Sequence, residues 1–216
     1  MTRFRLAAVE WAAGGTDAPA AAAAAQELAS VAGLRTVVLV EGVSDQVALE
    51  VLAARRGRNL DAEGVSVVPL GGATSIGRFL DLFGPRGLDV KLAGLCDAGE
   101  ESHFQRRLEL AGLGSNLTRA DMEPLGFYVC VADLEDELIR SLGDASVERV
   151  IDAEGDLRLF RTFQMQPAQR TRTVEQQLRR FMGTLSGRKV QYARALVEAS
   201  DLTRVPRPLD RLLASL

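Results

Sequence analysis

TVVLVEGVSDQVALEVLAARR, residues 36–56, decides the fold. Thr36 to Val40 is an apolar run of strand length, rich in β-branched side chains. From Ser44 to Arg56 the pattern changes, and Val47, Ala48, Val51 and Leu52 recur at helical spacing. A strand running at once into an amphipathic helix is one β-then-α unit, and the unit repeats downstream. Val65 to Leu70 (VSVVPL) reads as a second strand, followed by a glycine turn at Gly71 and Gly72 and a helix from about Ser75 to Leu82. Lys91 to Cys96 reads as a third strand with a helix from about Glu100 to Leu110. Phe127 to Val131 reads as a fourth, before a helix from Leu134 to Leu142 that Gly143 closes.

This alternation predicts an α/β protein: a Rossmann-like, doubly wound arrangement with a central four-stranded parallel sheet flanked by helices. The strands are continuous apolar runs, as burial on both faces requires. In such sheets ligands bind just past the carboxyl ends of the strands. Upstream, residues 1–33 hold an alanine-rich stretch, Ala18 to Ala25, broken only by Pro19, so a helix is expected over Ala20 to Val31, ending near Gly33. Beyond Asp152 the strand signal disappears. Thr173 to Met182 and Val190 to Ser200 read as helices, joined by a Gly187 turn that carries Arg188 and Lys189, and Pro206 and Pro208 read as the end of this helical part. The division expected is an N-terminal segment 1–33, an α/β domain 34–150 and a basic helical segment 151–216.

A chain of 216 residues holds one substantial core with a small appendage. With 47% apolar and 25% charged residues it has the balance of a folded globular protein. No apolar run approaches the roughly 20 residues that span a bilayer, and the N-terminus lacks a basic-then-apolar secretory layout, so a cytoplasmic protein is expected. Cys96 and Cys130 each end an apolar run and read as reduced core thiols. No CxxC pair is present and His103 is the only histidine, which argues against zinc. Charge is unevenly spread: Glu41 to Asp156 holds 22 acidic against 11 basic residues, whereas Arg158 to Arg194 holds nine basic residues against Glu175 alone. An acidic body suits a cation and a basic tail suits phosphate, although the two segments could also contact one another.

The strand ends concentrate carboxylates. Strand one runs into Glu41-Gly42 with Asp45 four residues on, strand three into Asp97, and the segment after strand four carries Asp133, Glu135, Asp136 and Glu137. Asp45, Asp133 and Asp136 also suit the first turn of a helix, where short carboxylates cap free N–H groups. Glu41, between an apolar strand and a glycine, is poorly explained that way. Carboxylates gathered at one edge repel one another unless a cation neutralises them, and Mg2+ takes hard oxygen ligands while leaving positions for water or phosphate.

VLVEGVSD (Val38 to Asp45) and LCDAG (Leu95 to Gly99), within the four-stranded α/β pattern, resemble the TOPRIM domain of bacterial primases, topoisomerases and OLD-family nucleases. The second carboxylate at Asp45, the glycine-rich PLGGATSIGRF (Pro69 to Phe79) and DLEDEL (Asp133 to Leu138) are most similar to the OLD (overcoming lysogenization defect) nucleases, ATP-dependent endonucleases. A weaker likeness extends to GRKVQYARAL (Gly187 to Leu196). The resemblance implies a Mg2+- or Mn2+-dependent nuclease acting on nucleic acid, with DNA the expected substrate. Glu41 would be a metal ligand and general base, Asp45 a second acidic ligand, Asp97 the first member of the family's DxD pair, Glu135 a further ligand, and Lys189 a phosphate or transition-state contact. Arg170, Arg172, Arg179, Arg180 and Arg188, with Lys189, would hold the nucleic-acid backbone.

Two departures qualify this. Gly99 stands where the family has its second aspartate, followed by Glu100 and Glu101, and a lost ligand would weaken a two-metal clamp. That opens an alternative, a TOPRIM module that binds metal, nucleic acid or a partner without cutting. The chain also lacks a GxxxxGK[ST] phosphate loop, since GGATSIG has no lysine, so its glycines are expected to make a tight turn and any ATPase to be a separately encoded partner. His103 is expected to pack on or beside its helix, and Trp11 has no functional reading.

Overall fold

All five residues of β1 (Thr36–Val40) are buried, as a strand covered on both faces requires. In the computed structural model, which describes residues 1–185 and 187–216, β1 is joined by β2 (Val65–Pro69), β3 (Lys91–Cys96) and β4 (Phe127–Val129). The four form one sheet in the order β2-β1-β3-β4, every neighbouring pair parallel. The helices in chain order are α1 (Thr2–Ala13), α2 (Ala18–Val31), α3 (Val43–Arg55), α4 (Ile76–Phe83), α5 (Glu101–Leu110), α6 (Arg119–Met122), α7 (Leu134–Leu142), α8 (Asp144–Ala153), α9 (Leu157–Gln164), α10 (Val174–Met182), α11 (Arg188–Ala199) and α12 (Arg207–Ser215).

Alternation along each strand sends side chains to two separate cores. Val38, Val40, Val67, Ala93 and Leu95 face a core completed by α3, α7 and the C-terminal helices through Phe160, Phe181, Tyr192, Leu196 and Leu212. Val37, Leu39, Val68, Cys96 and Phe127 face the other, completed by α4, α5 and the N-terminal helices through Phe4, Ala8, Ala25 and Ala29. Residues 1–33 and 151–216 thus each cover one face of the sheet. Arginines of α3 and the turn after it tie the C-terminal part down: Arg55 donates to the carbonyls of Val197 and Ser200, both at 2.7 Å, and Arg56 pairs with Asp210 at 2.6 Å.

Gly94 lets the middle of the sheet close up. It pairs with Leu39 on one side and Phe127 on the other. A Cβ there would lie 2.7 Å from the Phe127 ring and 2.8 Å from the Leu39 carbonyl oxygen.

The predicted helices after each strand are present, with α2 starting at Ala18 and α11 at Arg188, each two residues before the expected position. Pro206 and Pro208 do not end the helical part. They begin α12, with Pro206 at its N-cap and Pro208 in its first turn, where a missing N–H and a fixed φ cost nothing. Of the described residues, no helix is long and apolar enough to cross a membrane. Cys96 and Cys130 are buried and free. Trp11 packs edge-on against Phe79, which gives it a place in the core beneath α1.

From β1 the chain moves to one side to form β2, then crosses back over β1 to form β3 on the other side. That reversal opens a crevice at the carboxyl ends of β1 and β3, where Glu41 and Asp97 emerge.

Candidate metal centre

Glu41 leaves β1 with its carbonyl accepting from Gly72 N–H at 3.3 Å, which ties the strand end to the glycine turn after β2. That turn needs its glycines: Gly71 has φ +68 and Gly72 φ +122, the region L side chains avoid. Glu41 Oε2 is buried without a hydrogen-bond partner. Asp45, in the first turn of α3, accepts from Gly42 N–H at 2.8 Å, so it does serve the helix terminus. It also faces the centre. Burial pushes its carboxyl up to about 7; the Gly42 bond opposes this, Glu135 and Glu41 add to it, and Lys189 opposes it.

Asp97 ends β3 and turns into α5 through a short 3-10 turn. Its carboxyl is also raised, first by burial and then by Glu41, Asp45, Asp133 and Glu135. Five carboxylates from three strand ends therefore act on one another, among them all four acidic residues predicted as ligands. Asp133 was expected to cap a helix, and it does so while also belonging to the cluster. One of its oxygens accepts from Asp136 N–H at 2.9 Å, capping α7, and the other accepts from Arg179 Nε at 2.6 Å. Glu135, in the next position but one, is 5% exposed. Its Oε1 lies 3.3 Å from Lys189 Nζ but makes no hydrogen bond there. Asp136 and Glu137 point elsewhere: both pair with Arg140 at 2.8 Å, and Glu137 also accepts from Val131 N–H at 2.7 Å.

The chemistry of this donor set fits a divalent cation. Two buried carboxylate oxygens, Glu41 Oε2 and Glu135 Oε1, lack hydrogen bonds, and Asp45 and Asp97 are raised, by burial first and by the neighbouring carboxylates next. Among the described residues, no group of three or more His, Cys, Asp or Glu side chains is arranged so that it could hold a metal ion by itself. An open set of this kind suits Mg2+, which uses one or two carboxylates and completes its shell with water and phosphate.

Gly99 lies on the short turn after Asp97, and a Cβ there would meet nothing within 4 Å. The missing carboxylate is therefore not a matter of space. Glu101 is committed to Arg119, whose Nε donates to it at 3.0 Å. Glu100 closes the turn with its N–H on the Asp97 carbonyl at 3.0 Å.

Beside the carboxylates, Arg172, Gln176, Arg179, Arg180 and Lys189 line a cavity of about 420 Å³ with Asp133 and Glu135. Four of the six basic residues predicted from sequence are gathered there. Arg170 is exposed and donates to the Met165 carbonyl at 3.2 Å, outside the cavity lining. Arg188 is 7% exposed, stacks 4.2 Å over the Phe181 ring and lies 3.4 Å from Asp156, so its charge is used inside the helical part. His103 Nε2, on α5, is buried without a partner, in keeping with a packing role.

Residues 34–98 match the family model described as the Overcoming lysogenization defect protein-like TOPRIM domain. A search of the curated proteins finds no match. Among solved structures, the C-terminal region of the Xanthomonas campestris pv. campestris OLD protein is 23% identical with a TM-score of 0.66, covering 85% of this chain and 92% of that one. The C-terminal region of the Burkholderia pseudomallei OLD protein is 21% identical with a TM-score of 0.66, covering 84% of this chain and 96% of that one. The likeness in structure extends well beyond the matched segment, into the helices on both faces of the sheet. Residues 34–98 thus match the OLD-like TOPRIM domain, and the chain as a whole has the fold of an OLD protein's C-terminal region.

Proposed function

We propose that this chain is a metal-dependent nuclease that hydrolyses phosphodiester bonds of DNA. The observation that carries the reading is the convergence of Glu41, Asp45, Asp97 and Glu135 at the strand-end crevice, with buried carboxylate oxygens lacking hydrogen bonds and Lys189 alongside. Glu41, Asp97 and Glu135 would hold Mg2+ or Mn2+, with Asp45 as a further acidic ligand. When bound, such an ion stabilises the charge on the attacking and leaving oxygens of an in-line displacement.

The remaining steps fall to the chain's own groups. Glu41 has a free carboxylate oxygen in the crevice and would take the proton of the attacking water. Lys189 pairs with Glu135 at 3.3 Å, and it stands at the edge of the cavity through which a phosphate would approach. Arg172 and Arg180 would hold the backbone on that side, with Arg170 further out. Such contacts position a strand without reading its sequence. Residues 1–216 carry no GxxxxGK[ST] phosphate loop, and a separately encoded ATPase is a partner that this reading admits.

Plasmid nicking in Mn2+ tests the assignment. Wild type is expected to nick, and Glu41→Gln to be slower by at least about 100-fold, the usual contribution of a positioned base. Equal activity in the two proteins would sink it.

One observation favours a second reading, a module that binds metal or nucleic acid without cutting. Gly99 removes the side chain that would complete a second cation position, although there is room for it. Under the nuclease reading, Gly99→Asp raises an activity that already exists. Cleavage appearing only in Gly99→Asp would identify the natural protein as the binding form.

A further inference from the structure

A cavity of about 570 Å³ lies along the free edge of β4, across α7 from the basic cavity described above. Four arginines line it, Arg119 of α6, Arg140 of α7, Arg204 in the turn before α12 and Arg207 at the start of α12, together with two carboxylates, Glu123 and Glu137. The arginines come from three parts of the chain far apart in sequence, so their convergence is a product of the fold and not of a basic run. Three of them are held as oriented forks by carboxylates. Arg207 is bidentate to Glu123 with both contacts at 2.8 Å, Arg140 bridges Asp136 and Glu137, and Arg119 pairs with Glu101. A guanidinium has five N–H donors, so a fork that spends two on a carboxylate keeps others for a second acceptor. Arg204 is exposed and, among the described residues, has no carboxylate within ion-pair distance.

The cavity is also joined to the acidic crevice. At its Arg119 end, Glu101 follows Asp97 by a single turn. At its floor, Val131 is 64% exposed and lies two residues before Asp133. Ala98 N–H donates to the Ala132 carbonyl at 3.2 Å, which locks these two chain segments together beside the crevice. Valines and prolines supply apolar lining between the arginines and their paired carboxylates, and the guanidinium donors those pairs leave over, with unpaired Arg204, suit the phosphate oxygens of a polynucleotide backbone.

We infer that this arginine-lined cavity is a second phosphodiester-backbone site, which holds the nucleic acid on the β4 side of the metal centre while Arg172 and Arg180 hold it on the other. The inference rests on the nuclease reading and extends it: the strand crosses the crevice instead of ending there.

The test is fluorescence anisotropy of a labelled 30-base-pair duplex with Ca2+ in place of Mg2+, as a function of salt. The proteins compared are wild type, Arg204→Gln/Arg207→Gln, Arg204→Glu, and Arg172→Gln/Arg180→Gln. Both residues of the first pair are exposed, and unchanged thermal melts establish that the variants are folded. Loss of two backbone contacts is expected to weaken binding about tenfold and to flatten the slope of log K against log salt by about 1.8, at 0.9 per phosphate. Arg204→Glu is expected to weaken it further. If Arg172→Gln/Arg180→Gln weakens binding while Arg204→Gln/Arg207→Gln keeps the wild-type affinity and slope, the second site is wrong and the nuclease reading stands. If wild type itself binds no duplex, both fall together.

Discussion

Asp45 is buried among other carboxylates, which works against its charged form. Its carboxyl is raised from 3.8 to about 7, by burial first and by Glu135 and Glu41 next, and Asp97 is raised for the same reasons. A folded-state value above the unfolded one means that the folded protein binds more protons in the interval between them. Stability is then complete below the unfolded value and falls as pH rises through the folded value. In chelator the melting temperature is therefore expected to drop by several degrees between pH 5 and pH 8, since each kcal/mol moves a chain of this size by about 2–4 °C. Ion pairs such as Arg207 with Glu123 lower the carboxyl concerned, so their contribution is lost at the acid end and does not offset this slope. Asp97→Asn, which removes one of the repelling charges, is expected to flatten the profile. Excess Mg2+ is expected to flatten it in wild type and to have less effect in the variant. A melting profile that is level from pH 5 to 8 in chelator would refute the account.

At the scale of elements, α7 connects the cluster to the basic tail. Asp133 caps its first turn through one oxygen and takes Arg179 of α10 through the other, so this residue fixes both the start of the helix and the direction of Glu135. The two contributions separate by substitution. Asp133→Asn keeps an oxygen for Asp136 N–H and loses the ion pair, whereas Asp133→Ala loses both. A cap is worth about 1 kcal/mol, so thermal melts are expected to place Asp133→Ala about 2–4 °C below Asp133→Asn. Equal melts would mean that the cap contributes nothing. Elements like α7 were legible in the sequence because an apolar stripe of helical spacing follows a continuous apolar run of strand length. The placing of Glu41 and Asp97 at strand ends was legible because each directly follows such a run. Other parts were not legible, because the information is not local. Asp133 and Arg179 are 46 residues apart, and nothing near either one announces the pair. Arg188 sits in a basic stretch that reads as solvent-facing until Phe181 and Asp156 are seen to enclose it. Pro206 and Pro208 looked like a terminator because proline ends helices and starts them with nearly the same local signature, and only the apolar face of α12 distinguishes the two.

The whole molecule is held together by segments outside the four strands. The face of the sheet that carries Val38 and Leu95 is covered in large part from residue 157 onward, by Phe160, Phe163, Leu178, Phe181, Met182, Tyr192, Leu196, Val197, Leu209, Leu212 and Leu213, all buried. The opposite face relies on Phe4 and the buried alanines of α1 and α2. Without the C-terminal group the face that carries Val38 and Leu95 would be left as exposed apolar surface. A fragment of residues 34–150 contains every strand and Glu41, Asp45, Asp97 and Glu135, yet it is expected to lack a cooperative melt and a near-ultraviolet circular dichroism signal, and to bind a dye for exposed apolar surface. The full chain is expected to give one sharp transition. A fragment that melts cooperatively would make the outer helices appendages to an autonomous domain. Failure of the fragment has a functional consequence as well: Lys189 and Arg179 reach Glu135 and Asp133 only because α10 and α11 are part of the same core. Assembly of the acidic cluster and of the basic cavity beside it is then a single folding event.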